Sequence, residues 1–126
     1  MIKLNRRWAT IALAVLCGAL FGPAQASNLE RDANKAFRKI GVSEAQMPRY
    51  AEAFETFLRK RNLAVRRVLN ANSGDVVPVL AKKRARRAAR KSVKQMRGIL
   101  TEEQIPYYEA YLEAANKVFL YNAGLK

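Results

Sequence analysis

The chain has no histidine, a single cysteine at position 17, and only 10 acidic residues against 24 lysines and arginines. One cysteine cannot form an intrachain disulfide, and without histidine the usual ligands of a transition-metal site are missing. The same absences remove the side chains that most often act as general bases or nucleophiles. A glycine-rich phosphate loop is lacking too. We therefore expect a protein that is not an enzyme and that carries no metal or cofactor.

The first 26 residues have the pattern of a cleavable secretory signal peptide. A basic start precedes fourteen mostly apolar residues, a stretch too short for a permanent membrane anchor. The small residues of 24–26 suit signal peptidase, whereas Leu16 before Cys17 argues against a lipoprotein. An uncleaved anchor is the alternative. We expect cleavage after Ala26 and a periplasmic mature protein.

Removal of this peptide leaves one domain, residues 27–126, whose formal net charge is +11 instead of +14 because the peptide contains three basic residues and no acid. A domain of about 100 residues buries only about two thirds of the surface of its unfolded chain. Without disulfides or a metal, association of subunits is the usual source of further stability. The mature protein is therefore expected to form a homodimer.

The mature sequence has helical periodicity throughout and no sustained alternation of the kind seen in strands. Its breaks fall at Gly41, at the turn cluster 70–75, and before Thr101. The helical segments between them cover approximately 27–38, 43–69, 75–97 and 101–122. We expect an all-α fold, an antiparallel helical hairpin or bundle of three to four helices.

Two segments that lie 58 positions apart, 42–55 and 100–113, are identical at five of fourteen positions. In each copy a hydroxyl residue is expected to cap a helix while a glutamine reaches back to the cap. The pairs are Ser43 with Gln46 and Thr101 with Gln104. A proline two residues after each glutamine predicts a kink or a short preliminary turn. Convergence on a good helix start is one interpretation, but the shared proline and tyrosine favour a duplication.

Leu100, Thr101 and Gln104 form a complete LTxxQ motif, and 42–46 is a degenerate copy in which Ser43 and Gln46 keep the hydroxyl and the amide. Two such motifs behind a signal peptide, in a small basic helical chain, resemble the Spy/CpxP family of periplasmic stress chaperones. The resemblance implies an antiparallel dimer of helical hairpins with a basic concave face. It also implies that this face holds unfolded or aggregation-prone proteins without ATP.

The third predicted helix carries nine cations and no acid over 82–97, which cover an arc of roughly 200°. They are Lys82, Lys83, Arg84, Arg86, Arg87, Arg90, Lys91, Lys94 and Arg97. Alanines fill most of the remaining arc, so another helix can approach closely. Such a run is either a solvated face or a surface for an anionic partner, since like charges on one helix repel one another. The candidate partners are unfolded or acidic protein segments, anionic lipid or lipopolysaccharide and, less favoured, nucleic acid.

Most aromatic residues lie on helical stripes and are expected in the core, whereas Tyr107 and Tyr121 lie off the main stripe and are candidates for an interface. The leading functional hypothesis is an ATP-independent periplasmic chaperone or stress-response protein that binds misfolded clients through the basic helix. The alternative is a cationic binder of anionic envelope polymers, lipids or nucleic acid that has no chaperone activity.

Overall fold

The computed structural model describes residues 24–125, in which there are four helices and no strand. The helices are α1 (Ala24–Ile40), α2 (Met47–Ala71), α3 (Val76–Met96) and α4 (Ile105–Asn122). The predicted all-α fold is therefore confirmed. The predicted signal peptide lies outside the described residues except for its last three. None of the four helices is long and apolar enough to cross a membrane.

The helices end where the sequence offers residues that suit a helix terminus. Gly41 follows α1 with a φ of 66°, and Gly74 lies between α2 and α3 with a φ of 75°. Both angles belong to the left-handed region, which residues with a Cβ rarely adopt. Asn72 donates from Nδ2 to the Val68 carbonyl at 3.1 Å and so satisfies a carbonyl group of the last turn of α2.

The helices that pack along each other, α1 with α4, α2 with α3 and α3 with α4, run antiparallel. Gln104, just before α4, contacts the carbonyl group of Ile40 at the end of α1. Asp32, nearer the start of α1, shares a surface groove with Glu113, nearer the end of α4. Helix α3 packs between α2 and α4. Helix α1 therefore packs on α4 and α2 packs on α3, so that each half of the chain contributes one helix to each pair.

Helices α2 and α4 run parallel across the centre of the bundle. The Tyr50 and Tyr108 rings meet edge to face with their centroids 5.8 Å apart. The rings of Phe54 and Tyr111 stack at 5.4 Å. Tyr50, Tyr108 and Tyr111 are fully buried. The predicted aromatic core is confirmed here, whereas Phe119, expected in the same core, is only partly buried.

The two glutamines of the repeated motif face each other at the base of the bundle. Gln46 Nε2 donates to Gln104 Oε1 at 2.8 Å, and Gln104 Nε2 donates to Gln46 Oε1 at 3.1 Å. Their amides also donate to the carbonyl groups of Ile99 and Gly41, respectively, at 3.3 and 3.0 Å. Gly41 and Ile99 lie 58 positions apart, as the glutamines do. The two copies of the motif are therefore related by an approximate twofold axis, which agrees with the interpretation as a duplication.

The predicted capping bonds are present, but each closes a turn that precedes its helix. The Ser43 amide donates to Gln46 Oε1 at 3.0 Å, and the Gln46 amide donates to Ser43 Oγ at 3.2 Å. Thr101 and Gln104 make the corresponding bonds at 2.9 and 3.3 Å. The α-helix proper begins at the next residue in each copy, with proline second, where a missing N–H costs no helical bond. The expected preliminary turn is therefore observed.

Candidate anion-binding groove

A groove of about 300 Å³ runs between α2 and α3 on the surface of the bundle. A second section extends it toward the α2–α3 turn, and both sections share Ala64, Arg67 and Arg84. The floor contains Phe57, Ala64 and Ala88, and Leu63 is 46% exposed at its edge. We call the two sections together the basic groove. The basic groove therefore combines an apolar floor with charged edges.

Cations from both helices converge on the basic groove. They are Lys60, Arg67, Arg84, Arg87 and Lys91. No acidic residue is among the described residues that line either section. Because α2 and α3 are antiparallel, Arg67 and Arg84 lie toward the turn, whereas Lys60 and Lys91 lie further down. The groove therefore presents two like-charged pairs across its width, and their mutual repulsion favours the binding of an anion between them.

All nine basic residues predicted on the third helix are exposed, but they do not form one surface. Arg84, Arg87 and Lys91 face the basic groove. The opposite side of α3 has a different groove, shared with α4, to which α3 contributes Lys82, Arg86 and Arg90 and α4 contributes Lys117. The remaining three are Lys83, Lys94 and Arg97, which line neither groove.

The groove between α3 and α4 contains acids as well as bases. Its lining has two acids, Glu109 and Glu113, beside four bases, whereas the basic groove has five bases and no acid in its described lining. Opposite charges in one groove reduce its net potential, so this side of α3 is a poorer anion site than the basic groove. The structure thus divides the nine predicted cations between different sides of α3, and their binding of a partner stays a prediction.

Within residues 24–125, an ion pair with an acid sets Arg97 apart from the other predicted cations. It follows the last residue of α3, and its Nη1 lies 3.1 Å from Glu102 Oε2. Both side chains are at least half exposed, so the ion pair contributes little to stability. Its position at the base of the bundle separates it from the basic groove. We therefore exclude Arg97 from the candidate site.

A buried arginine links the helices behind the basic groove. Arg61 is 5% exposed, and its guanidinium carbon lies 3.9 Å from the centroid of the Phe119 ring. Its Nη1 donates to Asn116 Oδ1 at 3.3 Å, and Asn116 Nδ2 donates to the Ala85 carbonyl at 3.2 Å. Burial lowers the pKa of Arg61 to about 10, since loss of water disfavours the charged form. This network fixes α2, α4 and α3 relative to one another.

The residues of the LTxxQ-like motifs are structural in their contacts. Leu100 is buried in the core, Ser43 and Thr101 close the preliminary turns, and Gln46 pairs with Gln104. They lie at the base of the bundle and line neither section of the basic groove. The predicted basic residues and the motif residues are thus not brought together into one site.

Sequence reasoning missed Lys60 and Arg67, which complete the basic groove from α2. A signal was available, because Lys60, Ala64 and Arg67 lie at helical spacing on one stripe beside the core. It also missed the burial of Arg61, although the position falls on the stripe of Phe57 and Val65. The basic character of its neighbours hid that pattern.

The chemistry available to the basic groove is that of binding. Its lining supplies guanidinium, ammonium, hydroxyl and amide groups over apolar side chains. Within 24–125 no group of three or more acidic, histidine or cysteine residues is arranged to hold a metal ion. Comparisons of the chain with protein-family models, with curated proteins and with solved structures found no match.

Proposed function

We propose that this protein is an ATP-independent chaperone of the periplasm, exported by a signal peptide that is cleaved after Ala26, which captures acidic segments of unfolded proteins in the basic groove. The observation that carries the proposal is the convergence of five cations from α2 and α3 on a groove that has an apolar floor and no acid in its described lining. The resemblance of the two LTxxQ-like motifs to the Spy/CpxP family supports the same function.

The proposed mechanism has two steps that use different parts of the groove. The five cations attract an acidic segment from a distance, which raises the rate of encounter. Apolar side chains of the segment then contact Ala64, Ala88 and the exposed side chain of Leu63. Because such contacts are not directional, the same groove can accept many sequences. Release requires no nucleotide, since folding of the client withdraws its apolar residues.

A second candidate function rests on the charge alone. Five cations in one groove also suit a polyanion such as lipopolysaccharide or nucleic acid, whose binding falls steeply with salt. The apolar floor favours protein clients over nucleic acid, because a purely phosphate-binding surface has no use for it. The two candidates differ in whether binding persists when salt screens the charges.

The test compares two triple variants that remove equal charge from opposite sides of α3. Arg67→Gln/Arg84→Gln/Arg87→Gln removes three cations of the basic groove, and Lys82→Gln/Arg86→Gln/Arg90→Gln removes three from the groove shared with α4. Aggregation of a denatured acidic protein is followed by light scattering at low and at physiological salt. We expect the first variant to need roughly tenfold more protein for the same protection, and the second to resemble the wild type.

Three outcomes decide the matter. Equal loss in both variants contradicts a specific groove and leaves only general charge. Full protection by the first variant contradicts the proposed function. Loss of heparin or DNA retention with protection intact assigns the cations to the second candidate function. Circular dichroism of each variant verifies that it is folded.

A further inference from the structure

The cations and small residues of the basic groove repeat with one spacing on both helices. On α2, Lys60 and Arg67 are seven residues apart, with Ala64 four residues after the first. On α3, Arg84 and Lys91 are also seven residues apart, with Ala88 four residues after the first. Two helical turns separate the members of each pair, which corresponds to about 10 Å at 1.5 Å per residue.

The two alanines give the centre of the groove a shape that another helix can enter. Ala64 and Ala88 lie in the same section, between the two like-charged pairs. A methyl side chain leaves room for a third backbone, and helices in contact pack with axes 8–10 Å apart. The half-exposed side chain of Leu63 provides apolar contact along the path.

We propose that the basic groove binds its partner as an amphipathic α-helix that carries carboxylates at positions i and i+7 and small or apolar residues between them. Such a helix places both carboxylates on one face and at the separation of the two cation pairs. It lies along α2 and α3 as the third helix of a local bundle. This inference rests on the proposed function, because it specifies the conformation of the segment captured in that groove.

An extended segment matches the groove less well. Three residues of extended chain span about 10 Å, but side chains at i and i+3 point to opposite sides of a strand. Only one of its two carboxylates therefore faces the cations. An anionic bilayer matches poorly for a different reason, because a flat surface does not reach Phe57 and the alanines at the floor of a groove.

The test uses three fluorescently labelled peptides of about sixteen residues and equal composition. The first has glutamates at i and i+7 on an alanine-rich helix, the second has them at i and i+5, and the third keeps the first spacing but has a central proline in place of a terminal one. Fluorescence anisotropy at low and at physiological salt gives the affinity, and circular dichroism measures helix gained on binding. We expect the first peptide to bind at least tenfold more tightly than the others and to gain helix.

Matched variants of the full chain connect the binding to this groove. Arg67→Gln/Arg84→Gln is expected to weaken binding of the first peptide about tenfold, whereas Arg86→Gln/Arg90→Gln, on the other side of α3, leaves it unchanged. Equal binding of all three peptides, with the same sensitivity to Arg67 and Arg84, overturns the helical conformation while the chaperone proposal survives. Insensitivity of binding and of aggregation suppression to Arg67 and Arg84 overturns both. Binding to anionic vesicles but to none of the peptides also overturns the inference.

Discussion

The pairing of Gln46 with Gln104 makes a quantitative prediction about stability. Substitution Gln104→Ala removes the reciprocal bonds with Gln46, the bond from the Thr101 amide, and the bonds to the carbonyl groups of Ile40 and Gly41. A hydrogen bond contributes about 1 kcal/mol net, and a partner left in a partly buried place loses more than an exposed one. We expect Gln104→Ala to lower the free energy of unfolding by about 2–3 kcal/mol. In a domain of this size that corresponds to a fall in Tm of roughly 10–20 °C.

A double-mutant cycle isolates the pair itself. Gln46→Ala removes the same mutual bonds from the other side, so the double variant should lose about 1 kcal/mol less than the sum of the single variants. Urea unfolding followed by circular dichroism measures all four proteins. Gln95→Ala is the control, since this exposed glutamine of α3 should change stability by less than about 0.5 kcal/mol. Additivity of Gln46→Ala and Gln104→Ala within about 0.3 kcal/mol would refute the reasoning.

Four further predictions concern the core and the processed protein. Tyr50→Phe and Tyr111→Phe should each raise stability by about 1 kcal/mol, because these buried hydroxyls have no hydrogen-bond partner among the described residues; Tyr108→Phe should lower it, because its hydroxyl bonds to Ser92. Urea titrations compare the three variants with the wild type, and destabilisation by all three would contradict the view that the Tyr50 and Tyr111 hydroxyls lack a partner. Burial raises the pKa of each of these three tyrosines above its usual value of about 10. The free energy of unfolding should therefore fall as the pH rises above 10, by up to about 1.4 kcal/mol per pH unit for each phenol. The lowered pKa of Arg61 acts in the opposite direction for one group. Unfolding curves at pH 9 and pH 11 check the sign. Intact mass of the exported protein should correspond to a chain that begins at Ser27, and a full-length mass would contradict cleavage. Sedimentation at micromolar concentration should give a dimer; a monomer at every concentration would exclude the dimeric part of the resemblance to the Spy/CpxP family.

The helices could be predicted from the sequence because local signals mark their ends. Gly41 and the 70–75 cluster break the helical periodicity, and the proline of each motif lies near a helix start. The pairing of helices could not be predicted in the same way. Phe37 of α1 contacts Tyr50 of α2 as well as Tyr111 of α4, and no local pattern indicates that α1 packs along α4.

The candidate groove shows a similar division. The density of charge on α3 was visible in the sequence, and this helix supplies three of the five cations of the basic groove. The division of these cations between a basic groove and a mixed groove was not visible, because it depends on whether Arg67 of α2 or Glu113 of α4 lies opposite them. The register between helices decides that, and a single sequence does not encode register in a local pattern. For the same reason the sequence showed that Gln46 and Gln104 occupy equivalent positions of a repeat, but not that their side chains are in contact.

The interleaving of α1 with α4 determines when the chain can fold. A growing chain presents its N-terminal part first, so α1 is complete long before its partner at 105–122 has been made. The aromatic core draws on both halves of the chain, because Tyr50 packs against Tyr108 and Phe37 against Tyr111. Contacts this distant in sequence form slowly, as the entropy of closing a long loop must be overcome first. The α2–α3 hairpin can form from local contacts, whereas the aromatic core between α1, α2 and α4 has to wait for the last helix.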